Sequence, residues 1–155
     1  MAIADRLAAL GLTLPDPVPA LASYVPAVVT GNLVYTAGQL PLVDGLLPEA
    51  GVVGDDDGHV TPAHAAEYAG VCALNALAAV AQAIGGLDRV SRIVKVTGFV
   101  ASAPGFTGQP AVVNGASDAL VAIFDEAGRH ARSAVGVAAL PLGAPVEVEL
   151  VVEYR

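Results

Sequence analysis

The sequence predicts one α+β domain, in which two long helices cover one face of an antiparallel-rich β-sheet. Two observations support this prediction. After a short N-terminal helix, β-branched runs and helical periodicities follow one another in the order β-β-α-β-α-β-β. The 155-residue chain is also long enough to bury one hydrophobic core, and its single cysteine excludes an internal disulfide. We therefore expect a single domain over residues 1–155, in which residues 1–20 form an N-terminal helix and a connector.

The first sixty residues are predicted to form four successive segments. These are a helix, an extended connector, a β-hairpin and a loop, over residues 3–10, 13–20, 24–39 and 41–60. The helix stops at Gly11, which suits a C-terminal cap, and the connector lacks the backbone donors of its three prolines. In the hairpin, Gly31-Asn32 is a turn dipeptide between two β-branched runs. The loop is rich in Gly, Asp and Pro, and we expect a short extended piece near Val52.

The rest of the chain is predicted to alternate between helices and strands. Helices are expected over residues 62–84 and 112–127, and strands over residues 90–100, 131–139 and 146–154. Thr61 supplies a capping hydroxyl before Pro62 at the first helical position. Gly85 and Gly128 end the two helices.

The last strand predicts an interface between subunits. Its four apolar residues at even positions, from Val146 to Val152, point to one face, and the other face carries Glu147, Glu149, Val151 and Glu153. A sheet that is covered by helices on one side leaves its other face in water unless a partner covers it. The mixed face therefore suits an oligomer seam beside a polar site.

The composition argues against several classes of protein. The net charge of −8, with only 7 Lys and Arg in total, provides no basic surface for a nucleic acid. We find no apolar run of membrane-spanning character and no secretion-signal pattern in the first residues, which favours the cytoplasm. Motifs of serine hydrolases, phosphate-binding loops and zinc sites are missing, so we expect neither a metal nor a cofactor.

Arg132 is the residue most suited to bind a ligand. It lies in an otherwise apolar strand, between small residues that leave space beside its guanidinium group. A charge in such a place needs an anionic partner. Two interpretations are open: Arg132 forms a structural ion pair with Glu147 or Glu149, or its planar guanidinium binds the carboxylate of a ligand with two hydrogen bonds.

Several segments together resemble the RidA (YjgF/YER057c/UK114) family. They are YVPAVVTGNLVYTAGQLP from Tyr24 to Pro41, Asn75, VKVTGF from Val94 to Phe99, Phe106, Asn114, Arg132-Ser133, Leu140-Pro141, and VEVE from Val146 to Glu149. The match runs in order from about residue 22 to residue 154. The N-terminal helix and the long loop over residues 42–60 indicate a divergent branch with a longer chain than the compact members.

The resemblance implies a chorismate-mutase-like fold, a homotrimer whose sheets form a central barrel, and sites in the clefts between subunits. Members of this family hydrolyse 2-imino acids or enamines to 2-keto acids and ammonia. The matching site residues are the carboxylate-binding Arg132, the water-positioning Glu147, Tyr24, Gly38, Asn114, and Ser133-Ala134, whose backbone faces the imine nitrogen. Ala37 and Ala134 depart from the family pattern, which commonly has a hydroxyl residue and a cysteine at these positions.

The sequence therefore predicts a deaminase that needs no cofactor and binds a small carboxylate, a 2-imino or 2-keto acid. One alternative is a small-carboxylate binder or chaperone-like protein without catalysis, which the loss of the hydroxyl at Ala37 favours. Another is a chorismate-mutase-like rearrangement of a dicarboxylate. The single arginine of the site argues against it, because two carboxylates would need to be bound. A third is the ribonuclease activity attributed to some relatives, which the acidic composition disfavours.

Overall fold

The computed structural model describes residues 1–20 and 22–155, and it contains a five-stranded sheet with two long helices on one face. The helices are α1 (Ile3–Ala9), α2 (Pro62–Ile84) and α3 (Gln109–Phe124), and the strands are β1 (Ala27–Thr30), β2 (Leu33–Thr36), β3 (Val90–Ala101), β4 (Ala131–Val137) and β5 (Val146–Tyr154). The strand order is β1-β2-β5-β3-β4. Strands β3 and β4 pair in parallel, and the other neighbouring strands of this sheet pair antiparallel. The predicted α+β fold class is confirmed.

Helix α2 begins and ends where the sequence predicts. The Thr61 hydroxyl accepts a hydrogen bond from the backbone N–H of His64 (3.2 Å), and Gly85 ends the helix with a φ of 81°. Helix α2 is long and apolar enough to cross a membrane, but 56% of its most apolar 18-residue stretch is buried inside the domain. Its buried side chains join those of α3 and the sheet in one hydrophobic core. The helix is therefore a core helix of this fold.

The N-terminal helix and the connector lie against the rest of the domain. Leu7 of α1 is buried in the main core. Arg6 donates from Nε to the carbonyl of Ala122 in α3 (3.0 Å) and forms an ion pair with Asp125. The connector, residues 13–20, contains neither helix nor strand, as its prolines predict. These contacts fix the start of the connector to the end of α3.

Helix α3 and strand β4 differ from their predicted bounds by two or three residues, and the ends of α1 and β3 differ by one. Helix α3 occupies Gln109–Phe124 instead of residues 112–127, because Pro110 fits its first turn and Asp125 adopts a φ of 52° that ends it. Strand β4 ends at Val137, two residues before the predicted end. The extended piece near Val52 is present: the Val53 N–H donates to the carbonyl of Ala101 (2.6 Å).

The sheet has one face covered by the helices and one uncovered face, which we call the open face. On β5, the side chains at even positions from Val146 to Val152 are buried under the helices. Glu147, Glu149, Val151 and Glu153 lie on the open face and are partly exposed. In the neighbouring strands the open face adds apolar side chains, Tyr35 beside Val151 and Phe99 beside Glu147. The open face is therefore mixed in polarity, as the sequence predicts.

Candidate functional site

Arg132 lies on the edge strand β4, and its guanidinium group is held by uncharged groups of α3. Nη1 donates to Asn114 Oδ1 (2.8 Å) and to Ser117 Oγ (3.2 Å), and Nη2 donates to the carbonyl of Pro110 (3.2 Å). Within residues 1–20 and 22–155, Arg132 takes part in none of the ion pairs. The pairing with Glu147 or Glu149 that the sequence left open is therefore not observed. Two of the five N–H groups of the guanidinium, Nε–H and one on Nη2, have no hydrogen-bond acceptor among the described residues.

Ser117 connects Arg132 to His130. A carbonyl oxygen only accepts hydrogen bonds, so His130 Nδ1, which lies 2.6 Å from the Gly128 carbonyl, carries a proton. In the neutral ring Nε2 is then the acceptor, and it lies 2.9 Å from Ser117 Oγ. The Ser117 hydroxyl therefore donates to His130 and accepts from Arg132. With Val121 and Arg129, these three side chains line an open cavity of about 260 Å³.

Glu147 lies on β5, and its carboxyl group sits directly against the backbone of Gly38. A Cβ atom at position 38 would overlap Glu147 Oε1 and Cδ, so any larger residue there would displace the carboxyl group from this position. Partial burial raises the pKa of Glu147 above its usual range, and the negative charge of Glu149 raises it further. The carboxyl group is therefore a stronger proton acceptor than an exposed glutamate.

Tyr24, Gly38 and Glu147 line one cavity of about 200 Å³, which we call the Glu147 cavity. Its remaining walls are mostly apolar and come from four parts of the chain: the connector, the residues before β1 (Ala22 and Pro26), the segment after β2, and Pro141. Asn75 of α2 holds the segment after β2 in place. The buried Asn75 amide donates from Nδ2 to the carbonyls of Leu40 and Leu42, both at 3.0 Å.

The predicted site residues form two groups on opposite faces of the sheet. In the β3–β4 register, Arg132 pairs with the buried Val96, and in the β3–β5 register Glu147 pairs with Phe99. Because side chains alternate along a strand, positions 96 and 99 of β3 point to opposite faces. Arg132 thus lies on the helix side with Asn114, and Glu147 lies on the open face. One chain does not bring the two together.

Ser133 and Ala134 follow Arg132 along β4. Ser133 pairs with Thr97 and lies on the open face, while Ala134 packs against the hydrophobic core. Because β4 is at the edge of the sheet, alternate residues direct their N–H and C=O groups away from β3. Backbone donors next to Arg132 are therefore available to a ligand or to another chain.

The comparison with protein families decides the identity of the fold. A family model described as "YjgF/chorismate_mutase-like, putative endoribonuclease" matches residues 4–154. The chain belongs to the YjgF/RidA family. Its chorismate-mutase-like fold is thus established, and the resemblance seen in the sequence is confirmed.

Individual relatives cover almost the whole YjgF/RidA chain. Protein TCP17 of Trypanosoma cruzi is 43% identical over 154 residues, which span 99% of this chain and 94% of that protein. The crystal structure of Atu1372 from Agrobacterium tumefaciens, a protein of unknown function, is 45% identical with a TM-score of 0.90, and the match covers 99% of this chain and 92% of that one. E. coli TdcF with bound serine is 26% identical with a TM-score of 0.61, over 92% and 96% of the two chains. The N-terminal helix and connector therefore have counterparts in Atu1372.

Sequence reasoning missed two parts of the site. Ser117 and His130 were not assigned roles, although Ser117 stands three residues after Asn114 and so shares its face of the helix. The connector was predicted only as an extended segment, yet it lines the Glu147 cavity. No local pattern indicates that contact, because it depends on where α1 docks.

Proposed function

We propose that this YjgF/RidA protein hydrolyses reactive 2-imino acids, or the enamines from which they form, to 2-keto acids and ammonia. The observation that carries the proposal is the state of Arg132. Three of its N–H groups bond to uncharged acceptors, and no carboxylate neutralises it within the described residues. Its positive charge and two further N–H groups are therefore available to the carboxylate of a ligand.

The groups of the site have distinct roles in this reaction. Arg132, oriented by Asn114, binds the substrate carboxylate, and the backbone at Ser133-Ala134 hydrogen-bonds the imine nitrogen. Glu147 orients a water molecule and accepts its proton as the oxygen bonds to the imine carbon. The imine nitrogen takes up this proton from Glu147, so that the tetrahedral carbon carries a hydroxyl and an amino group. The hydroxyl proton then passes through Glu147 to the nitrogen, the C–N bond breaks, and ammonia leaves as the carbonyl forms. An iminium carbon is already electrophilic, so orientation and charge neutralisation account for the catalysis.

The proposed site is shared between subunits of a homotrimer. Since Arg132 and Glu147 lie on opposite faces of one sheet, they meet only if β4 of one subunit lies beside the Glu147 cavity of its neighbour. The open face carries apolar side chains, including Tyr35, Phe99 and Val151, that suit burial in such an assembly. The proposal also includes a cytoplasmic location, which the lone, buried Cys72 thiol supports.

The relatives support a small ligand with a carboxylate. TdcF is described with bound serine, an amino acid that presents a carboxylate next to a nitrogen. The name of the family model includes endoribonuclease activity. RNA is the less suitable substrate for this chain, because a net charge of −8 with 7 basic residues repels a polyanion.

An imine-release assay tests the proposal. An amino-acid oxidase or a threonine dehydratase generates 2-imino acids, semicarbazide competes for the free imine, and the purified protein should divert it to the 2-keto acid. Arg132→Ala should lose both binding and turnover, at a cost of about 2 to 5 kcal/mol. Glu147→Gln should keep ligand binding and lose turnover by ~100-fold or more. Arg155→Ala, at the exposed C-terminal residue, is the matched control and should behave as wild type.

Three outcomes would change the assignment. Retained activity in Arg132→Ala would remove its role as the carboxylate clamp. If wild type gives no rate advantage with any imine, yet 2-keto acids bind in an Arg132-dependent manner, the protein is a small-carboxylate binder and not a deaminase. Cleavage of a single-stranded RNA in a parallel reaction, abolished by neither variant, would assign a different active site.

A further inference from the structure

The connector forms one wall of the Glu147 cavity. Val18, Pro19 and Ala20 face this space from one side, and we call them the connector wall. Leu40 and Leu42 line the cavity from the segment after β2. The cavity thus depends on a segment that lies 127 to 129 residues before Glu147 in the sequence.

The connector wall is held in place by contacts upstream of it and by the packing of its own first residue. Upstream, α1 is anchored by the buried Leu7 and by the bonds of Arg6 to α3. At the wall itself, Val18 packs against a small buried cluster that contains Leu40, Leu42 and Ala144. Prolines at alternate positions restrict the backbone of the connector, so little conformational entropy remains to be lost when a ligand binds. The wall is therefore a preformed part of the cavity.

Polar and apolar groups are separated within the cavity. The Glu147 carboxyl group and Tyr24 provide the ionisable groups of the lining, whereas the connector wall, Leu40 and Leu42 are apolar. An apolar surface favours a hydrocarbon substituent and disfavours a second carboxylate, which would lose its hydration and approach the negative Glu147. The volume of about 200 Å³ is below the roughly 300 to 1,000 Å³ of pockets for drug-sized ligands. The cavity therefore suits a compact aliphatic group.

We infer that the connector wall is a specificity-determining surface, which selects 2-imino and 2-keto acids with a compact, branched aliphatic side chain. This inference rests on the proposed function, because it orients the ligand with its reactive carbon at Glu147. The aliphatic side chain then lies between the connector wall and Leu40. The carboxylate extends out of the cavity towards Arg132 of a neighbouring subunit.

Equilibrium binding of 2-keto acids tests the inference without requiring turnover. The probes are pyruvate, 4-methyl-2-oxopentanoate and 2-oxoglutarate, each titrated into the full-length protein by calorimetry. Wild type should bind 4-methyl-2-oxopentanoate at least about tenfold more tightly than pyruvate, since burial of each methylene contributes roughly fourfold. It should bind 2-oxoglutarate more weakly than either.

Two variants alter the wall in opposite directions. Val18→Ala enlarges the cavity and should reduce the preference for 4-methyl-2-oxopentanoate over pyruvate several-fold. Ala20→Val fills the cavity and should weaken the branched ligand selectively, which keeps the test valid if Val18→Ala unfolds. Leu10→Ala, an exposed change in the same N-terminal extension, is the matched control and should retain the wild-type preference.

The outcomes separate this inference from the proposed function. Imine hydrolysis without a preference for branched ligands, or a preference that both wall variants leave intact, would overturn the connector wall as a specificity surface while the deaminase stands. A wall-dependent preference without hydrolysis would keep the wall and remove the catalysis. If none of the three 2-keto acids binds, both are overturned.

Discussion

The carboxyl group of Glu147 is placed where its charge opposes folding. Partial burial against Gly38 disfavours the ionised form, and the negative charge of Glu149 adds to this effect, so the pKa of Glu147 is raised. A carboxyl group whose pKa is higher in the folded chain binds its proton more tightly there than in the unfolded chain. It therefore lowers stability as the pH rises from the ordinary value of about 4.3 through the raised folded pKa. Above that pKa the loss of stability is complete. The raised pKa also suits the Glu147 carboxylate to accept a proton from water.

Glu147→Gln should increase the free energy of unfolding at pH 7 while it lowers turnover by ~100-fold or more. The amide keeps the shape of the side chain and removes the partly buried charge, and we expect a gain of less than about 1 kcal/mol because solvent still reaches the group. The difference from wild type should vanish near pH 4, where Glu147 is protonated. Urea denaturation at both pH values measures this, with Glu67→Gln, at an exposed position of α2 outside the ion pairs of the described residues, as the control. A variant less stable than wild type at pH 7 would contradict the burial argument.

At the scale of elements, α2 fixes the shape of the Glu147 cavity through one buried amide. Asn75→Ala removes both hydrogen bonds to the carbonyls of Leu40 and Leu42 and leaves these acceptors buried. We expect a loss of roughly 2 to 4 kcal/mol in the free energy of unfolding. Gln82→Ala, at an exposed position of the same helix, should change it by no more than about 0.5 kcal/mol. Equal stabilities for the two variants in guanidinium denaturation would show that the amide does not fix this segment.

Helix ends and strand faces could be predicted where residues close together in the sequence determine them. Thr61-Pro62 and Gly85 mark the ends of α2, and the alternation of β5 assigns its two faces. The sequence prediction placed α3 three residues too far along the chain, because it did not include Pro110 in the first turn of the helix. The grouping of the site residues was less predictable, since it follows from strand pairing and helix packing. Arg132 and Glu147 were both identified, but their positions on opposite faces depend on the registers of β4 and β5 with β3.

At the scale of the whole molecule, the open face requires a partner if the proposed site is to form. Val151 stands near the middle of this face, next to Tyr35 on β2 and Lys95 on β3. It is an apolar side chain between the two acidic residues Glu149 and Glu153 along β5. A seam that buries Val151 removes apolar surface from water, and its acidic neighbours border the proposed sites.

Light scattering at micromolar concentration should give a mass about three times that of the 15.4 kDa chain. Val151→Glu should raise the dissociation constant of the assembly by at least about tenfold, because it adds a fourth carboxylate to the row formed by Glu147, Glu149 and Glu153 and desolvates it in the seam. Leu46→Glu, which adds the same charge at a 73% exposed position in the loop over residues 41–60, should leave the mass unchanged. Dissociation of Val151→Glu should also abolish imine hydrolysis, since each site would lose either Arg132 or Glu147. A wild-type monomer that hydrolyses imines would refute the shared site, because a single chain holds these two groups on opposite faces of its sheet.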